Sequence, residues 1–153
     1  LMIKTRVDYT IFFRELSNVP EDIGPLKKSF YPESGAFLEP EERDQRWSAW
    51  LTRWKSLTGI VSASESSAAS RPSREDLSTR MKLVNPKYSL REWLLVDAYQ
   101  QAGRGDYAAL RELQEVMTDP YAEQSQEVEG KFYRLRPAEF FDVGGLSHMS
   151  CSS

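Results

Sequence analysis

Cysteine and histidine are nearly missing from this 153-residue chain, which holds one of each, Cys151 and His148. A single thiol cannot close a disulfide within the chain, so no disulfide framework explains its folding. One histidine and one cysteine leave no Cys/His cluster for structural zinc. Long apolar runs are lacking too: no stretch reaches the roughly 20 apolar residues of a membrane span. Charges interrupt the opening Leu1-Met2-Ile3-Lys4-Thr5-Arg6, which therefore does not read as a signal peptide. A start on Leu rather than Met predicts that further residues precede it in the natural protein. An excess of positive charge is also absent. Lys and Arg number 20 against 23 Asp and Glu, a net charge of -3, which argues against a nucleic-acid partner because phosphate binding needs a basic face.

The sequence also lacks the common phosphate and nucleophile signatures. It contains no G-x-x-x-x-G-K-[ST] loop, no G-x-G-x-x-G turn, no His-Arg-Asp or Asp-Phe-Gly, and no G-x-S-x-G elbow. A self-contained active site of those kinds is excluded.

What is present fits a soluble globular chain, with 40% hydrophobic and 28% charged residues. In the stretch Asp8-Tyr9-Thr10-Ile11-Phe12-Phe13-Arg14-Glu15-Leu16, residues Tyr9, Phe12, Phe13 and Leu16 fall on one helical face, and Pro20 stops the element. A short helical piece is expected around residues 26–31, then a loop to Glu39. Pro40 suits a first helical position, and Glu41, Glu42 and Asp44 complement the positive end of the helix dipole. Trp47, Trp50, Leu51, Trp54 and Leu57 follow at helical spacing, with Gly59 just past the end. Three tryptophans on one stripe can form a ligand platform, but such stripes are usually core, and core is the reading adopted.

Residues 62–73 are Ser/Ala-rich without apolar period and read as a flexible linker. Two capping boxes are expected next. Ser73-Arg-Glu-Asp76 opens a helix through Met81, and Ser89-Leu-Arg-Glu92 one through about Ala102, with Asn85-Pro86 breaking the chain between them. Leu90, Trp93, Leu94 and Ala98 are the expected buried face of the latter, with Asp97 toward solvent. Gly103-Arg-Gly-Asp106 makes a tight turn in which Gly103 or Gly105 takes the left-handed conformation. Asp106 then caps a helix carrying Leu110, Leu113 and Met117, so these two helices should pair. From Pro120 the period fades into an acidic stretch, followed by Phe132, Tyr133, Phe140, Phe141 and Val143 as anchors of an extended tail.

Two residues stand out chemically. His148 titrates near neutrality, three positions before Cys151, and Gly144-Gly145 precedes both. A thiol in such a tail is exposed and reactive. The competing reading is a frayed terminus without a role.

Asn85-Pro86-Lys87-Tyr88-Ser89-Leu90-Arg91 resembles a segment of the selenoprotein O-type kinase-like proteins. Gly105-Asp106-Tyr107, Pro120-Tyr121 and the terminal Cys151-Ser152-Ser153 follow at similar spacing. Upstream, Asp8-Tyr9-Thr10, Phe13-Arg14 and Leu16, and the tryptophan-bearing stretch 47–54, are similar as well, so the resemblance covers nearly the whole chain. It implies the mainly α, C-terminal portion of a protein-kinase-like fold, with an extended irregular tail. The divisions expected are a helical segment 1–61, the linker 62–73, a helical segment 74–119 with its helix pair, and the tail 120–153.

Family members transfer AMP from ATP to protein Ser/Thr/Tyr hydroxyls with Mg2+ or Mn2+, using residues N-terminal to this region. The resemblance therefore implies no catalytic, cofactor-binding or metal-binding residue in this segment. The implied partners are the rest of its own kinase-like domain and the protein substrates, with no nucleic acid and no membrane. The implied location is cytoplasmic in a bacterium and mitochondrial in a eukaryote. Cys151 falls where members carry a redox-active selenocysteine or cysteine. His148 stands in place of the family's first thiol, so a disulfide of Cys151 would need a cysteine upstream or on another molecule, and the imidazolium would favour the thiolate. Glu92 departs from the Asn commonly found there. A non-enzymatic helical interaction module is the alternative reading.

Overall fold

The computed structural model describes residues 1–32, 38–60 and 73–141. Among these the chain forms seven α-helices and no strand, as a mainly α sequence predicts. No helix among the described residues is long and apolar enough to cross a membrane. The chain divides into two units, Leu1–Asn85 and Pro86–Ser153.

In the first unit a short helix α1 (Met2–Thr5) is followed by α2 (Tyr9–Leu16). Asp8 sits in the extended region ahead of α2, and its side chain accepts from the Ile11 N–H at 3.0 Å, which satisfies one of the orphan donors of the first turn. Ile11, Phe12 and Leu16 then point inward and are fully buried. Tyr9, expected on that face, is instead 60% exposed, because the first residue of the helix lies beyond the core and its ring leans on Phe13 at 4.6 Å. Residues 26–31 were expected to contain a helical piece, and Pro25–Ser29 forms a 3-10 turn. An isolated antiparallel bridge joins Val7 to Phe30.

Helix α3 (Pro40–Thr58) has Pro in its first turn, Glu41 and Glu42 at its positive end, and Gly59 closing it at φ 73. A left-handed conformation there is costly for residues other than glycine. Trp47 and Leu51 are buried with Phe12, Leu16, Ile23, Leu26 and Phe30, while Trp50 and Trp54 pack at the edge of this core. Trp47 meets Phe12 at 4.7 Å, and its indole N–H donates to Thr5 Oγ1 at 3.2 Å. The tryptophan stripe is core. Leu57, expected to extend it, is 77% exposed in the last turn of α3.

The Ser73–Asp76 capping box is present at the head of α4 (Arg74–Lys82). At the other end of α4 the buried guanidinium of Arg14 donates to Lys82 O and Asn85 O, at 3.3 and 3.0 Å. These carbonyls lie at the negative end of the helix dipole, where a cation is favoured. Asn85 Nδ2 donates to Ser17 Oγ at 3.0 Å, fastening the same corner. Residues 61–72, nearly all of the expected linker, lie outside the described residues.

The second unit contains α5 (Glu92–Ala102), α6 (Ala108–Val116) and α7 (Gln126–Phe132). The Ser89–Glu92 capping box does not form: α5 begins at Glu92, with Arg91 as an N-cap that supplies no side-chain bond. The backbone N–H groups of Lys87 and Tyr88 both donate to Pro120 O, at 2.8 and 3.0 Å. That holds the segment extended past the point where Ser89 could cap, and Ser89 Oγ accepts from Arg91 Nε instead. Leu90 is consequently 53% exposed, rather than part of the buried face. Trp93 and Ala98 do face inward, and Asp97 faces solvent.

Gly105 takes the left-handed turn at φ 86, whereas Gly103 is right-handed. Asp106 accepts from Ala108 N–H at 2.9 Å from a position one residue ahead of the N-cap Tyr107. Helices α5 and α6 pack on each other, as the short turn predicts. Helix α7 lies in the stretch expected to be extended. Ser125 caps it by accepting from Val128 N–H, and Glu127 and Glu129 occupy its first turn.

Trp47→Ala should destabilise the first unit by about 3–5 kcal/mol, through lost apolar contact and a residual cavity. Urea unfolding of the full chain measures it; a loss under about 1 kcal/mol would contradict the core assignment.

Candidate functional site

The segment that most resembles a known family, residues 85–91, is also where the polar chemistry of the second unit concentrates. Lys87 is only 6% exposed. Its Nζ donates to Glu123 Oε2 at 2.5 Å and to Glu129 Oε2 at 2.7 Å. Glu129 is brought there by the first turn of α7, and Glu123 by the loop before it. The rings of Tyr133 and Tyr88 lie 5.2 and 5.9 Å from the ammonium, within cation–π range. Tyr88 is buried with Leu113, Val116 and Phe132 in the core of this unit.

Desolvation pulls the Lys87 pKa down, but the hydrogen bonds of Glu123 and Glu129, with the charge of Glu123, outweigh it and raise the pKa above the ordinary lysine value. A lysine that acts as nucleophile or base needs the opposite shift, since only the neutral amine can do either. The geometry gives Lys87 a structural role: its buried ammonium is enclosed by the two carboxylates. Burial likewise pushes the Tyr88 phenol above its usual range. Arg91, also buried, donates from Nη1 to Arg134 O at 3.3 Å, and the Arg134 guanidinium lies 4.8 Å over the Trp93 ring.

A cavity of about 430 Å3 opens among Trp93, Asp97, Lys131, Arg134, Glu139 and Phe140. It does not fit ATP with a metal. No glycine lines it, so no flexible loop turns its amides toward a phosphate chain. Its two cations share the wall with two carboxylates, and Lys131 is further engaged by Glu112. No group of three or more His, Cys, Asp or Glu side chains among the described residues is placed to hold a metal ion.

Cys151 and His148, the two site residues singled out by sequence, lie outside the described residues. The Lys87–Glu123–Glu129 cluster was not assembled by sequence reasoning. Its one signal is the acidic stretch after Pro120, which carries no hint of its partner because the lysine lies 36 and 42 residues away.

No protein-family model matches the chain. Over its whole length it is 34% identical to the protein nucleotidyltransferase YdiU of Aromatoleum aromaticum. It is 33% identical to the proteins of the same name from Xanthomonas euvesicatoria pv. vesicatoria and Xanthomonas campestris pv. campestris. The chain spans 27% of the length of each of these curated relatives.

Replacing both Glu123 and Glu129 by Gln should destabilise the second unit by about 2 kcal/mol. That is less than for a fully buried pair, because both carboxylates are partly exposed. Lys87→Met, which removes the charge itself, should cost less than this double change. Urea unfolding compares the two variants, and the reverse order would refute the assignment. Because the folded Lys87 pKa is raised, its stabilisation is complete below the ordinary lysine value and is lost as pH rises through the folded value. Wild type should therefore lose stability above about pH 10.5, where K87M changes less.

Proposed function

Because the chain belongs to the selenoprotein O-type family of protein nucleotidyltransferases, we propose that it is the C-terminal structural and redox-regulatory part of an enzyme that transfers AMP from ATP to protein hydroxyls. The observation that carries this reading is an identity that runs over the whole chain yet covers about a quarter of each relative. The described residues support the division of labour. Lys87 and Arg14, buried and chemically the most conspicuous, are occupied in holding helices together. The cavity does not suit a nucleotide. On this reading ATP and Mg2+ or Mn2+ bind to residues preceding Leu1, and no step of the transfer is assigned to side chains of this chain. The helices buttress that catalytic part, and Cys151 supplies oxidant control, with His148 as a modulator of its thiol.

Transfer of label from α-labelled ATP by the full-length protein, with and without reductant, tests the reading. Labelling of protein substrates is expected; its absence with either metal would overturn the assignment. Calorimetry of the 153-residue chain with ATP and magnesium should show no binding, and micromolar affinity would place the nucleotide site here after all. In the full-length enzyme Cys151→Ser should abolish the oxidant sensitivity of transfer, whereas unchanged sensitivity would return the tail to a terminus without a role.

A further inference from the structure

Every residue lining the cavity beside Trp93 belongs to the second unit. Its floor is aromatic and fixed in place. Trp93 and Phe132 are buried, and the Phe140 ring meets Trp93 at 6.2 Å. Arg136 donates to Phe140 O and so holds the backbone that carries that ring. A volume of about 430 Å3 is the scale of a small-molecule site. The charges on the wall differ in how far they are committed. Lys131 pairs with Glu112, and Asp97 accepts from Gln101 Nε2 at 2.9 Å. Arg134 and Glu139 line the same cavity, yet no ion pair joins them, and the Glu139 carboxylate has no partner among the described residues. Arg134 is held from behind: Nε donates to Lys131 O at 3.0 Å, and the guanidinium carbon lies 4.8 Å from the centre of the Trp93 ring. Its two Nη groups bond to no described residue, which leaves a positioned fork of donors of the kind that takes a carboxylate at two points.

An apolar acid would bring an anion into a wall that already holds Glu139, and an apolar amine would bring a cation into one that holds Arg134. A ligand with both charges beside an apolar body meets both groups. We propose that the cavity binds a free α-amino acid with a large apolar side chain. Its carboxylate sits on the Arg134 fork, its ammonium on Glu139, and its side chain against Trp93 and Phe140. Burial of the side chain supplies affinity, while the two ion pairs fix orientation and discriminate against analogues with a single charge. The site stands apart from the transferase reading, in which none of these groups has a step.

Calorimetry of the full-length protein with L-phenylalanine should show saturable binding in the micromolar to low-millimolar range. The analogue 3-phenylpropanoate lacks the ammonium, and 2-phenylethylamine lacks the carboxylate; each should bind at least about tenfold more weakly. Arg134→Gln should weaken L-phenylalanine about tenfold without weakening 2-phenylethylamine. Glu139→Gln should weaken L-phenylalanine to a similar extent without weakening 3-phenylpropanoate. Both positions are exposed, so the fold should tolerate either change. Should Arg134→Gln fail to fold, Glu139→Gln and the two analogues decide the matter alone. Absence of saturable heat up to roughly 10 mM L-phenylalanine would overturn the proposal. Equal affinity for L-phenylalanine and 3-phenylpropanoate would do the same, as would an affinity for L-phenylalanine that Glu139→Gln leaves unchanged.

Discussion

The ammonium of Lys87, closed in between the carboxylates of Glu123 and Glu129, is the interaction on which the second unit depends. Taking such an ion out of water costs several kcal/mol even after relaxation, so it is tolerated only where its donors are met inside the protein. Meeting them fixes more than one side chain. Glu129 must arrive on α7, Glu123 must turn back ahead of it, and Pro120 O must sit where the Lys87 and Tyr88 N–H groups converge. Tyr88 is thereby seated against Leu113, Val116 and Phe132, and the loop from α6 to α7 is left few alternatives.

The first unit solves a related problem with different chemistry. Arg14 is as buried as Lys87, but it donates to carbonyls at the end of α4. A planar guanidinium has a fork of donors that suits two carbonyls in one turn, whereas an ammonium is a point charge that gains most from carboxylates. Glu15, the neighbour of Arg14 on α2, is buried too and takes Lys28 as its partner at 3.2 Å. Helix α2 thus buries one charge of each sign beside Phe12 and Leu16.

Local features were the legible ones. The Asp8-led helix, the tryptophan helix from Pro40 to its glycine cap, and the Ser73 box all follow from signals within a few residues, and each is found in the structure. The misreadings have a common origin in competition between near and far partners. Ser89 had the composition of an N-cap, but the backbone bonds to Pro120 govern that segment and delay the helix to Glu92. Helix α7 carried a capping serine and two early glutamates, yet its seven residues give too few turns for a period to show. Tyr9 and Leu57 fit the apolar pattern but lie at helix ends, beyond the core that the pattern was meant to cover. The lysine cluster was beyond local reading altogether, because nothing in sequence pairs Lys87 with carboxylates 36 and 42 positions on.

That cluster also bears on where the chemistry of the longer protein is to be sought. A lysine in a segment shared with a transferase family invites a catalytic reading. As a nucleophile or base, however, lysine must lose its proton near neutral pH, and the two carboxylates push Lys87 the other way. Its charge is committed to holding α7 and the preceding loop in place. A resemblance carried by residues 85–91 therefore reports a shared way of folding as readily as a shared reaction. The buried cations on both sides of Asn85, Arg14 and Lys87, are spent on packing.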